Sequence, residues 1–177
     1  MINDDYLNRL KSIFEDLNIP EEYFKTAKTP LCEEAQNLVE IGEDVFGRKQ
    51  RLLNSVAVLW TKMKSAAQQD GVDIDVVSAF RSIDYQKQLI QRKLDKGITI
   101  NEILKVNTPP GFSEHHTGRA LDITTKDCEP LSESFENTEA FQWLIKNAAR
   151  FNFSLSYPRD NPYGIIYEPW HWAASEK

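Results

Sequence analysis

Histidine is scarce in this chain of 177 residues: there are three, and none precedes His115. Cysteine is scarcer still. Cys32 and Cys128 are far apart and form no CxxC pair, which excludes a disulfide framework and leaves two free thiols as the expectation. No stretch approaches the roughly twenty consecutive apolar residues that a membrane span needs. The opening Met1-Ile2-Asn3-Asp4-Asp5-Tyr6 carries acids and lacks the basic start and apolar core of a signal peptide, so the chain as given reads as cytoplasmic, or periplasmic if a leader was trimmed. Clustered Lys and Arg are missing too. With a net charge of −6 and dispersed cations, a nucleic-acid surface is excluded. No repeat or low-complexity tract interrupts the chain, and 41% apolar with 27% charged residues fits one compact, monomeric globular domain.

What the chain does have is concentrated. Two histidines fall in Ser113-Glu114-His115-His116-Thr117-Gly118-Arg119-Ala120-Leu121-Asp122, and the third closes Glu168-Pro169-Trp170-His171. A lone histidine is more often structural than ligating, and a lone aspartate is usually a turn former. Gathered into two short segments, each with its own acid, they read as a zinc site. A mononuclear catalytic zinc takes three imidazole or carboxylate ligands and needs a further carboxylate as base. One of His115 and His116, together with Asp122 and His171, can ligate, and Glu168 is placed to be the base. Neighbouring residues in an extended segment face opposite ways, so residue chemistry leaves the choice between His115 and His116 open.

Ser113-x-His115-x-x-Gly118-x-Ala120-x-Asp122 followed by Glu168-x-x-His171 resembles the VanY-type D-alanyl-D-alanine carboxypeptidases of the LAS zinc peptidases. The resemblance extends to Ser78-Ala79-Phe80-Arg81-Ser82, Gln86 and Tyr157-Pro158, and covers roughly residues 50 to 174. It implies one zinc per chain held by His115, Asp122 and His171, with Glu168 as catalytic base. It also implies that Arg81, Gln86 and Ser113 contact the terminal residue of the substrate, with Tyr157 and Trp170 as walls. His116 becomes an outer-shell or solvent-facing residue. Arg81 suits a terminal carboxylate because a planar guanidinium pairs with it through two hydrogen bonds. Arg119, beside the motif, is a further candidate for steering, and Glu114 for orienting a ligand ring.

The implied fold is α+β, a small antiparallel sheet flanked by helices with the zinc at the sheet edge, of the LAS or hedgehog-like type. Residues 1–45 are expected as a helical extension packed on a core of residues 46–177. Asp4 or Asp5 should cap a helix bearing Leu7, Leu10, Phe14 and Leu17, and Arg51 to Gln69 should form the longest helix. Asp73 to Phe80 reads as a strand and Tyr85 to Lys96 as a helix capped by Asp84. Thr99 and Glu102 have the form of a capping box. Leu121 to Thr124 should deliver Asp122, and Thr138 should start a helix with Phe141, Leu144, Ile145 and Ala148 inward. Phe153 to Tyr157 and Gly164 to Tyr167 read as two further strands. In a continuing strand Glu168 and His171 would face opposite ways, so Pro169 predicts a break that turns them to one cavity.

The substrate class implied is peptidoglycan peptides losing a C-terminal D-alanine. The absence of a leader favours L,D-action on tetrapeptides in cell-wall recycling over D,D-action on pentapeptides. A phage-lysin-type endopeptidase would share the metal set without needing a carboxylate clamp, and an inactive zinc-containing binding module would have no reason to keep both Glu168 and Arg81.

Overall fold

The computed structural model describes residues 3–175. Its centre is a four-stranded antiparallel sheet in the order β3 (Asp75–Ser78), β4 (Ala120–Thr124), β6 (His171–Ala174), β5 (Phe153–Leu155), with a separate hairpin of β1 (Leu38–Glu43) and β2 (Lys49–Leu53). Alternation along β4 decides which side chains serve which face. Leu121 and Ile123 enter the main core with Val76, Trp172 and the inner face of α3 (Asn54–Gln69), namely Val56, Trp60, Met63 and Ala67. Asp122 points the other way. α6 (Glu139–Asn147) closes this core through Phe141 and Leu144, its N-terminus capped by Thr138 accepting from the Phe141 N–H.

A second core lies under α1 (Asp4–Asp16) and the single turn α2 (Tyr23–Thr26). Leu10, Ile13, Phe14 and Leu17 pack against Ile83 and Ile90 of α4 (Ile83–Leu94), Ile103 of α5 (Ile100–Ile103), and Phe112. Phe14, Tyr23, Phe24 and Phe112 form a ring cluster with centroids 4.5 to 6.1 Å apart. Gly111 permits it. Its φ is +88°, and a Cβ there would lie 2.6 Å from Leu10 Cδ1. The N-terminal residues are also stitched to the histidine-bearing loop by backbone bonds from Cys32 N–H to Gly111 O (2.7 Å) and from Ala35 N–H to His116 O (2.8 Å). Glu34 adds a carboxylate that accepts the Ile83 N–H at 2.8 Å, at the start of α4.

Several elements differ from the sequence reading, each for a local reason. Residues 51–53 are strand rather than helix, because Arg51, Leu52 and Leu53 pair with Glu40, Val39 and Leu38 before Leu53 (ψ 141°) turns into α3. The hairpin therefore straddles the boundary expected at residue 45. Asn3, not Asp4 or Asp5, caps α1, and Ser82, not Asp84, caps α4. The Thr99–Glu102 capping box forms with both reciprocal bonds. Ile145 faces outward, 53% exposed. Residues 164–167 are irregular: Gly164 adopts φ +70° and Asn161 Nδ2 bonds the Ile165 carbonyl at 2.7 Å, curling the segment into a loop. The fourth strand is instead His171–Ala174.

Candidate metal centre and adjoining cleft

The sheet register assembles the acidic part of the site. Asp122 lies on β4 directly opposite His171 on β6 and opposite Ser78 on β3, so two side chains distant in sequence become cross-strand neighbours on the two inner strands. His115 arrives from a 3-10 turn, Glu114–Thr117, that ends at Gly118 with φ +65° and ψ +20°. A side chain at Gly118 would meet Leu38 Cδ2 at 2.9 Å and the Leu53 amide nitrogen at 3.2 Å, so the turn closes against the hairpin only with glycine there. Ligating atoms of His115, Asp122 and His171 all lie within 4.8 Å of one another, and the three residues are buried.

The ring orientations define which nitrogens converge. His115 Nδ1 is 2.6 Å from the Ala79 carbonyl, which can only accept, so this nitrogen carries the proton and Nε2 faces inward with its lone pair. That Nε2 lies 3.2 Å from Asp122 Oδ2, is fully buried, and has no hydrogen bond of sound geometry to any described residue. His171 presents Nδ1 to Asp122 Oδ1 at 3.0 Å and Nε2 to Glu114 Oε2 at 2.9 Å. An orphaned imidazole nitrogen, a carboxylate and a second imidazole nitrogen make a donor set that fits a divalent metal of the zinc class. The carboxylate at the back of His171 is the outer contact that such rings commonly have.

Charge placement agrees with that donor set. Burial, reinforced by the Arg81 charge, pushes the His115 pKa down to about 4 and keeps the ring neutral. Burial opposes charge on His171 as well, but the hydrogen bonds it donates to Asp122 and Glu114 outweigh it and raise the pKa to about 10. A proton thus sits among these carboxylates where a cation is favoured. Asp122, despite its burial, is held well below the usual carboxylate range by His115 and His171.

Glu168 reaches the same place by the break foreseen at Pro169. Residues 169 and 170 form a turn, closed by the His171 N–H donating to Glu168 O at 3.1 Å. This brings Glu168 Oε2 to 3.7 Å from His171 Nδ1. Burial raises the Glu168 pKa to about 7, with Asp122 adding to the rise and His171 and Arg81 opposing it.

One cleft is lined by His115, His171, Glu168, Arg81, Gln86, Ser113 and Tyr157, and it continues along residues 104–108 and Ile165 and Ile166. Arg81 Nη1 donates to Gln86 Oε1 at 3.3 Å, and Gln86 Nε2 donates to the Thr108 carbonyl at 2.8 Å. Tyr157 packs its ring 4.7 Å from that of His171. Trp170 does not line this cleft; it is packed into the main core, with Trp172 Nε1 bonding the neighbouring Pro169 carbonyl at 2.9 Å. Arg119 lies outside the lining and donates to the Ser175 carbonyl at 3.3 Å. His116, expected as outer-shell or solvent-facing, is completely buried, with Nδ1 2.6 Å from the Arg81 carbonyl. The loop walls at 104–108 and 165–166 carry no motif in the sequence. Pro109-Pro110-Gly111 was the one local signal that a loop approaches here.

The family model for VanY, D-alanyl-D-alanine carboxypeptidase, matches residues 49–174, well over half of the chain. The chain belongs to the VanY family. Among curated relatives of this VanY-family chain, the Bacillus subtilis (strain 168) protein YodJ is 33% identical over 129 residues, which is 70% of this chain and 46% of that protein. The chain thus spans about half the length of that relative. Among solved structures, the LdcB LD-carboxypeptidase is similar with a TM-score of 0.72 and 29% identity, covering 80% of this chain and 69% of that one. A vancomycin-resistance D,D-pentapeptidase VanY, solved in complex with Zn(II), is similar with a TM-score of 0.61 and 26% identity, covering 84% of this chain and 87% of that one. Among the described residues no helix is long and apolar enough to cross a membrane.

Proposed function

We propose that this VanY-family protein is a zinc-dependent carboxypeptidase that removes C-terminal D-alanine from peptidoglycan-derived peptides. The observation that carries the reading is the meeting, in one cleft, of a convergent His115–Asp122–His171 donor set, a carboxyl group at Glu168 tuned to about 7, and a guanidinium at Arg81. Zinc bound by the three donors would supply Lewis acidity toward the scissile carbonyl and make the attacking water more acidic. The protein's own residues do the rest. Glu168, poised near neutrality, accepts a proton from that water and returns one to the leaving amine. Arg81, steadied by Gln86, pairs with the free terminal carboxylate, while Ser113 and Tyr157 border the terminal residue. Glu114 keeps His171 in the ring orientation that directs Nδ1 inward.

Within this class we favour L,D-action on tetrapeptides over D,D-action on pentapeptides; the LdcB LD-carboxypeptidase has a higher TM-score than the D,D-pentapeptidase VanY, 0.72 against 0.61. Mass spectrometry of defined tetra- and pentapeptide muropeptides after incubation with the zinc-loaded protein tests both levels. Loss of one D-alanine from the tetrapeptide is expected. Cleavage of the pentapeptide alone would reverse the assignment of bond type, and cleavage of neither would overturn the enzymatic reading.

A further inference from the structure

The residues after β3 run alongside the 3-10 turn Glu114–Thr117, and the two are joined three times. Arg81 N–H donates to the His115 carbonyl at 3.2 Å. The carbonyls of Ala79 and Arg81, two residues apart, receive the Nδ1 protons of His115 and His116, each at 2.6 Å. One imidazole turns its other nitrogen to the metal donor set. The other does something different.

His116 has no exposed surface, and its Nε2 has no hydrogen-bond partner among the described residues. A buried polar nitrogen without a partner is unfavourable, and an aliphatic side chain of similar size would fill the space without that cost. Packing therefore does not account for an imidazole here. What the ring supplies that leucine could not is a single N–H donated to the backbone of Arg81. The side chain of the same arginine is held from the other direction, by Gln86, which Thr108 holds in turn.

We propose that His116 is a positioning residue for Arg81: it fixes the arginine's main chain, as Gln86 fixes its guanidinium, and so registers the carboxylate contact against the metal ligand next to it in sequence. This rests on the reading of Arg81 as the contact for the terminal carboxylate.

The test uses the full-length, zinc-loaded protein with His116→Leu, which keeps volume but has no donor, and His116→Asn, whose Nδ2 can stand close to the lost Nδ1. Each is assayed on a peptide with a free terminal carboxylate and on its C-terminal amide, with zinc content and thermal unfolding measured alongside. His116→Leu should keep one zinc, raise KM for the free acid about tenfold with a smaller change in kcat, and narrow the acid-over-amide preference. His116→Asn should restore most of that preference. An unchanged preference in His116→Leu overturns the inference, and so does a loss of zinc that matches the loss of activity. If the wild type itself shows no preference for the acid, the reading of Arg81 fails first and takes the inference with it. Should neither variant fold, a nitrogen-15 correlation spectrum of the wild type decides: the Nδ1–H tautomer at His116 is required, and an Nε2–H tautomer rejects the proposal.

Discussion

Glu114 Oε2 accepts the Nε2 proton of His171 at 2.9 Å, so a residue outside the ligand set determines which nitrogen of His171 turns toward Asp122. Without that carboxylate the ring could bind its proton on either side. Glu114→Ala should weaken zinc binding by roughly 10- to 100-fold. Competition against a chelator of known affinity measures it, and unchanged affinity would mean that Asp122 and packing suffice to orient the ring.

Ligand and base substitutions should separate. Replacing His115, Asp122 or His171 by Ala should abolish stoichiometric zinc, whereas Glu168→Gln should keep the metal and lose roughly 10²- to 10⁴-fold in turnover, since only the proton acceptor is removed. Metal analysis with steady-state kinetics distinguishes the two outcomes. A Glu168→Gln variant with full turnover would remove that residue from the reaction.

The rate should fall on the acid side of neutrality. Glu168 must be ionised to accept a proton, and burial lifts its pKa to about 7 in the metal-free protein. A divalent cation nearby favours the carboxylate, so the acid limb of kcat/KM in the zinc-loaded protein should lie between the ordinary glutamate value and about 7. A limb that persists unchanged in a Glu168→Gln variant with residual activity would assign it to another group.

Terminal-carboxylate recognition should be costly to lose. Converting the free acid to an amide removes a charge-assisted contact from a partly buried guanidinium, a loss of roughly 2 to 5 kcal/mol in kcat/KM. Arg81→Lys should not restore full rates, because a point charge cannot reproduce the fork. Equal cleavage of acid and amide would favour the endopeptidase alternative.

Asp44 gives a stability prediction remote from the chemistry. Its buried carboxylate accepts from the Phe46 and Arg48 N–H groups, from Arg48 Nε at 2.7 Å and from Gln50 Nε2 at 2.7 Å. Burial alone would raise its pKa, but these bonds prevail and hold it below the usual carboxylate value. A depressed folded-state pKa contributes stability above the unfolded value, near 4, that is lost as pH falls through the folded one. Asp44→Asn should therefore lower stability at pH 7 and flatten its loss in acid, as read by denaturant titrations across pH. Parallel curves for the two proteins would contradict this.

The sequence was most legible where chemistry is dense. Three histidines in two short segments pointed to a metal donor set, and the parity conflict between Glu168 and His171 forecast the turn at Pro169. It was least legible where tertiary pairing overrides local preference. Arg51-Leu52-Leu53 continues a helical pattern yet pairs with residues 38–40, and no local signal marks that partner. Trp170 was expected as a cleft wall from the family resemblance, yet its side chain packs into the main core, a tertiary placement that no local signal marks. The contact of His116 was hidden for a similar reason, since the carbonyl it meets lies 35 residues away.

The strand pairing of Leu38–Glu43 with Lys49–Leu53 has a practical consequence for anyone trimming this protein. The family match starts at Lys49, inside the hairpin. A fragment begun there would bare the ladder side of β2 and strip Leu38 from its seat against Gly118. An unpartnered strand edge of that kind is adhesive, inviting other chains to supply the missing strand. Aggregation of such a fragment would report on a missing neighbour rather than on any weakness of the four-stranded sheet.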